Sequence, residues 1–152
     1  MDEQSRRCRA FPARLTLVPQ AIQWAVGSAR ELNAGNISHE WLQLALEEAV
    51  TNICRHAYQC NPHATYGVTL WREKDHLMVE LTDRGAPFDP LTAQTANDTN
   101  RPEALGGLGL PLLRACIEHP RYMRQNSMNV LRFGIPITPC LLASYGGDPH
   151  VQ

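Results

Sequence analysis

Glu48 and Asn52 stand four residues apart in the run Glu47-Glu48-Ala49-Val50-Thr51-Asn52, so on a helix they share one face, and His56 continues the same ridge. A carboxylate there could orient or deprotonate a hydroxyl or water next to a transferring phosphate. An amide oxygen one turn on could ligate Mg²⁺, which takes oxygen ligands and keeps several waters. Further along, Asp83-Arg84-Gly85-Ala86-Pro87-Phe88-Asp89-Pro90 follows an alternating strand pattern. A buried Asp83 would be acceptor-only and would suit the exocyclic amine of adenine, while the oxygen at that position of guanine would be repelled. Gly85 has no Cβ, so a flat base could approach its backbone. Gly106, Gly107 and Gly109 then precede an apolar helix pattern, and free N–H groups at such a helix start can cradle phosphates. Taken singly, each signal has a plainer reading: a solvated helix face, an Asx turn, a flexible loop. In this order in one chain they point to an ATP site.

The elements that must position these groups are legible from periodicity. Phe11, Leu15, Leu17 and Val18 around Pro12 suggest an edge strand over 9–18. Pro19 opens a helix over 20–32 with Ile22, Ala25, Val26 and Ala29 on its buried face. Ser38 caps a second helix, Glu40 complements its dipole, and Leu42, Ala45, Leu46, Ala49, Val50 and Ile53 form its core face through about Tyr58. Runs over 66–71 and 77–81 predict a hairpin, and runs over 122–125 and 130–135 predict another turning at Asn126-Ser127. Between them the segment 90–105 is polar with little periodicity, and a helix over 110–117 begins with Pro111 near its first turn.

At 152 residues, 43% hydrophobic and 19% charged, the chain reads as one globular domain. A net charge of −1 gives no electrostatic reason for a nucleic-acid or anionic-membrane partner. No apolar run reaches the roughly 18 residues of a membrane span. The first residues lack the apolar core of a secretory signal, so a cytoplasmic location is expected. Five scattered cysteines with no Cys-x-x-Cys do not suggest a disulfide framework. Cys54, His56, Cys60 and His63 fit no standard zinc spacing and read as free thiols and ordinary histidines.

Together, Glu48 to Asn52 with His56-Ala57-Tyr58 resembles the N-box of the GHKL ATPase superfamily. Asp83 to Pro90 resembles its first glycine box, and Gly106-Gly107-Leu108-Gly109-Leu110 its second. Within that superfamily the chain is most similar to the stand-alone anti-sigma-factor serine/threonine kinases. The resemblance covers about residues 11 to 136, leaving 1–10 as an N-terminal extension and 137–152 as a tail. It implies an α+β fold of the Bergerat type: a two-layer α/β sandwich whose mixed, largely antiparallel sheet carries helices on one face. It implies Glu48 as catalytic base and Asn52 as Mg²⁺ ligand, with Asp83 reading adenine and Gly85 against the base. Gly106, Gly107 and Gly109 become hinge and phosphate cradle of an ATP lid over 90–105; within that segment Arg101, which matches no motif position, is the best basic candidate for a γ-phosphate contact. The cofactors implied are ATP and Mg²⁺; the partners are a sigma factor and a small anti-anti-sigma antagonist, with a homodimer as the assembly. The expected activity is phosphorylation of the antagonist, the alternative being a nucleotide-binding module that only sequesters its partner.

Overall fold

The computed structural model describes residues 5–92, 115 and 117–137. Among them five strands form one sheet: β1 Arg6–Pro12, β2 Thr65–Glu73, β3 His76–Asp83, β4 Glu118–Gln125 and β5 Met128–Pro136. Their order is β1-β2-β3-β5-β4, and every described pairing is antiparallel. Two helices, α1 Val18–Glu31 and α2 His39–Asn52, complete the two layers. The expected α+β sandwich is therefore present, with a described sheet that is antiparallel throughout rather than mixed.

Alternation along the strands explains the layering, because successive residues point to opposite faces. Val68 and Leu70 of β2, Leu77, Val79 and Leu81 of β3, and Phe133 and Ile135 of β5 are buried in one cluster with the helices. The helices meet that face through small side chains. Ala21, Ala25 and Ala29 recur every four residues on α1, and Ala45 and Ala49 on α2, all essentially buried. Ile22 and Val26, expected on one face with Ala25 and Ala29, pack against the core but are only partly buried. The buried stripe is rotated toward Val18, Ala21, Ala25, Ser28 and Ala29, since a layer of alanines lets the helix lie closer to its neighbours.

Local chemistry sets the boundaries. β1 ends at Pro12, on the sheet edge where a missing N–H costs no ladder bond. It starts at Arg6, and the chain turns into a short 3₁₀ helix, Leu15–Leu17, instead of extending to Val18. Ser38 caps α2, its Oγ accepting from Trp41 N at 3.2 Å. Both hairpins close through two residues: Lys74-Asp75, with Lys74 at φ 53°, and Asn126-Ser127, at φ 51° and 62°. Positive φ at both central residues of the second turn matches the right-handed twist of its strands. Of the helix expected over 110–117, only Ala115 is described as helical, and β4 begins at Glu118, absorbing Pro120. The segment 93–114 and the tail 138–152 lie outside the described residues.

Candidate functional site

The site is assembled where α2 ends, β3 ends and β5 begins. After Asn52 the helix widens into one π turn, Ile53–Ala57, with Tyr58 N bonded to Ile53 O at 2.9 Å. Such single π turns recur at functional sites. This turn presents the Ala57 carbonyl to the loop leaving β3, where Ala86 N donates to it at 2.8 Å. Gly85 lies so close that a Cβ would stand 2.4 Å from Ala57 O, so no larger residue fits without displacement. The closest pressure on Gly85 thus comes from the helix end, a reason for glycine that the sequence reading, which looked to a base, did not foresee. Tyr58 adds a second staple: its hydroxyl accepts from Arg84 N at 2.8 Å and donates to Thr65 O at 2.6 Å.

Asp83 is 6% exposed, and its Oδ1 accepts from Gly85 N at 2.9 Å and Asn129 Nδ2 at 2.8 Å. No hydrogen bond of Oδ2 is found among the described residues. Burial pushes the carboxyl above its ordinary range, opposed by the bonds from Asn129 and Gly85 and by the Arg124 charge. Asn129, 4% exposed, is itself saturated. Its amide also donates to Ala86 O at 2.9 Å, and its Oδ1 accepts from Arg124 at 3.0 Å, Phe88 N at 3.4 Å and the Tyr122 hydroxyl. Arg124 reaches on to Gly85 O at 2.9 Å. The β4–β5 hairpin therefore holds the Asp83 loop from one side while α2 holds it from the other.

Asn52 and Asp83 line one cavity of about 20 Å³, with Ala49, Ile53, Leu81 and Phe88 among its other walls. That is room for about one water, so a base would enter by displacing the outer wall. Phe88 forms part of that wall and stacks on His56, ring centroids 4.6 Å apart and planes 11° off parallel. Asn52 is buried, and its Nδ2 has no hydrogen-bond partner among the described residues. An amide can exchange its N and O by flipping, so either a donor or an acceptor can be turned to this position. Turned so, Asn52 would offer a neutral amide oxygen, a ligand type that suits Mg²⁺, which draws its remaining ligands from water and phosphate.

Glu48 lies one turn earlier but lines a different, open groove of about 420 Å³ with Leu15, Val18, Pro19, Glu47, Thr51 and Arg55. Burial, then the Glu47 charge, raises its pKa, and Arg55 opposes both. The structure thus joins Asp83, Asn52 and the Gly85 loop and sets Glu48 one turn before Asn52 on α2, facing a separate groove. Gly106, Gly107, Gly109 and Arg101 lie outside the described residues. Asn129, Arg124 and Tyr122 were not anticipated. A polar Asn129 preceding the apolar run Val130-Leu131 was a signal, but its partner depends on a strand register that no local pattern specifies.

An antiparallel sheet under two helices, with a buried carboxylate at a strand end facing a helix-borne asparagine, defines a nucleotide-binding sandwich of the Bergerat type. The chain belongs to the histidine kinase-like ATPase domain family, whose model matches residues 11–135. It is 27% identical over 126 residues to the serine-protein kinase RsbW of Oceanobacillus iheyensis, covering 79% of this chain and 80% of that protein. It is 30% identical over 95 residues to the serine/threonine-protein kinase BtrW of Bordetella bronchiseptica, covering 59% and 65%. The fold is shared with the SiaB-SiaC complex from Pseudomonas aeruginosa at TM-score 0.58 and 19% identity, over 85% of this chain and 88% of that one. It is also shared with the catalytic domain of histidine kinase ThkA at TM-score 0.51 and 15% identity, over 88% and 99%. The resemblance read from the three boxes is borne out. No helix of the described residues is long and apolar enough to cross a membrane.

Proposed function

We propose that this protein is an ATP-dependent protein serine/threonine kinase of the anti-sigma-factor type, acting on a hydroxyl of a small antagonist protein. The observation that carries the reading is the pairing, across one cavity, of a buried Asp83 carboxylate whose bonds among the described residues fall on Oδ1 and a buried Asn52 amide whose Nδ2 has no partner among them. Asp83 Oδ2 accepts from the adenine amine, while Asn129 and Gly85 hold Oδ1 and so fix the carboxylate's orientation. Asn52 holds Mg²⁺, which neutralises charge on the phosphates when bound. Gly106, Gly107 and Gly109 cradle the phosphates through backbone N–H groups. Glu48, on the open groove one turn along α2, orients the incoming hydroxyl and takes its proton. The similarity to two protein kinases of serine or serine/threonine specificity supports this assignment over a purely structural ATPase module. In this reading, which follows the resemblance of the three boxes to the anti-sigma-factor kinases, the antagonist is an anti-anti-sigma protein, the regulated partner a sigma factor, and the working form a homodimer.

Glu48 opens away from the Asp83 cavity, which favours a second reading: a chain that binds nucleotide and sequesters its partner without transferring phosphate. Incubation with labelled ATP, Mg²⁺ and a small candidate antagonist protein of the anti-anti-sigma type distinguishes the two. Labelled phosphoserine or phosphothreonine on the antagonist is expected. A stable ternary complex that yields no labelled product rejects the kinase and leaves the sequestering module.

A further inference from the structure

At the other end of β3 from Asp83, three metal-ligating side chains converge. His76 opens β3, Glu118 opens β4, and the two strands are separated by β5. Two strand spacings amount to about 9.6 Å, too far for adjacent-strand pairing. The gap is bridged because Gly134 of β5, the register partner of Glu118, has no side chain. A Cβ at Gly134 would stand 3.2 Å from the His76 ring, so the imidazole lies across the bare backbone of β5 and reaches the Glu118 carboxylate, to which its Nε2 is hydrogen-bonded.

His119 should face away from Glu118, since neighbours on a strand point to opposite faces. It does not. The β4–β5 register shifts between Glu118 and Arg121, and His119 takes φ 52°, a left-handed conformation few non-glycine residues adopt. Bulges of this kind re-aim a side chain. Here the bulge brings the His119 ring to 5.2 Å from that of His76, edge to face, and one ligand atom from each of the three residues falls within 4.8 Å of the others.

We propose that His76, Glu118 and His119 form a divalent transition-metal site, with Zn²⁺ as its natural occupant. Two imidazoles and one carboxylate are a known zinc donor set, and imidazole selects against Mg²⁺ and Ca²⁺. Tetrahedral Zn²⁺ with bonds of about 2.0–2.1 Å needs ligand atoms about 3.4 Å apart. Glu118 and His119 are both exposed and can close that distance by side-chain rotation. The fourth position is open to water. Seven residues of strand, about 23 Å, separate His76 from Asp83, so this metal is distinct from one at the nucleotide. Its direct effect is to clamp the start of β3 to the start of β4 across β5. The other histidine–cysteine group in the chain, Cys54, His56, Cys60 and His63, shows no such convergence among the described residues.

The plain alternative is an ion pair between His76 and Glu118 with His119 as bystander. Titration of the reduced full chain with Zn²⁺ by calorimetry, and with Co²⁺ by visible absorption, separates them. One equivalent is expected, with a rise in Tm. Glu118→Gln keeps the shape, and His119→Asn keeps a residue that tolerates the left-handed backbone. Each should weaken Zn²⁺ by about 100-fold or more, beyond the loss typical of an outer-shell partner. His63→Ala and Cys60→Ser should leave affinity unchanged. No binding at tens of micromolar Zn²⁺ in wild type, or binding that survives Glu118→Gln and His119→Asn, overturns the site. Circular dichroism and ADP binding of each variant show whether a loss reflects the metal ligands or the fold.

Discussion

Asn129 and Asp83 are register partners across β3 and β5, and the Asn129 amide spends one N–H on Asp83 Oδ1 at 2.8 Å and the other on Ala86 O at 2.9 Å. One side chain thereby fixes both the carboxylate and the loop beyond it. Replacing Asn129 with Ala leaves the buried Oδ1 and the Ala86 carbonyl each short of a donor. Stability should fall by about 1–3 kcal/mol, and ADP affinity should fall with it. Urea unfolding and ADP titration of Asn129→Ala measure both. Unchanged nucleotide affinity would mean that the Asp83 carboxylate does not need this partner to meet its ligand.

Asp83 should also decide which base is accepted. A carboxylate offers only acceptors, so adenine's amine is matched and guanine's oxygen is opposed. Wild type should bind ATP more tightly than GTP, by the roughly 1–3 kcal/mol that an unmatched buried polar contact costs. Asp83→Asn, which can present an N–H₂ group, should narrow that gap. Parallel titrations with both nucleotides test it, and equal affinities in wild type would remove Asp83 from the role.

Much of this arrangement could be read from the chain. Helix α2 was legible because Leu42, Ala45, Leu46, Ala49 and Val50 repeat at helical spacing behind a Ser38 cap. Both hairpins were legible because short turns separate alternating runs. The face of α1 was misjudged because Ile22 and Val26 outweigh alanines on any hydrophobicity scale, whereas packing here favours small residues. Asn129, Tyr122 and Arg124 were missed for a different reason. Their importance comes from a pairing between strands 46 residues apart, and strand register is a tertiary property. The same holds for Gly85, whose neighbour is Ala57.

Gly85 therefore makes a prediction about stability as well as binding. A methyl group there would meet the Ala57 carbonyl oxygen at 2.4 Å and the carbonyl carbon at 2.5 Å, both backbone atoms that cannot rotate aside. Gly85→Ala should force the loop away from the π turn and cost about 1–3 kcal/mol, as overpacking does. The Ala86 N to Ala57 O bond would be lost in the same movement. Thermal unfolding reports the first effect, and hydrogen exchange at Ala86 the second. Wild-type stability in Gly85→Ala would show that the loop has room to spare.

Burial of Asp83 also makes stability depend on pH. Its folded pKa is raised, so in the acid range the native state holds a proton that the unfolded chain, near pKa 3.9, has released. Stability should decline as pH rises from about 4 through the raised value. The contribution is fully present below the unfolded pKa and gone above the folded one. Asp83→Asn should flatten this limb, and bound adenine nucleotide should do the same by favouring the ionised carboxylate. Denaturant midpoints measured from pH 3.5 to 7 give the slope. An identical profile in wild type and Asp83→Asn would assign the dependence to other carboxyls, Glu48 first among them.

Glu48 provides the test of catalysis. Its carboxylate lies on an open groove, and burial and Glu47 raise its pKa, which makes it a better proton acceptor once ionised. Phosphoryl transfer should therefore switch on as pH rises through that raised value, because only the ionised form can take the proton of the attacking hydroxyl. Glu48→Gln keeps size and polarity but cannot act as a base. It should bind ATP as wild type does, since the base serves the transition state rather than the ground state, and should lose about 10²-fold or more in rate. Asn52→Ala should behave differently, weakening Mg²⁺-dependent nucleotide binding and rate together. Single-turnover transfer to the antagonist, measured for both variants across pH, separates base from metal ligand. A Glu48→Gln enzyme as fast as wild type, with the same pH profile, would strip Glu48 of its role, and the base would then have to be sought elsewhere.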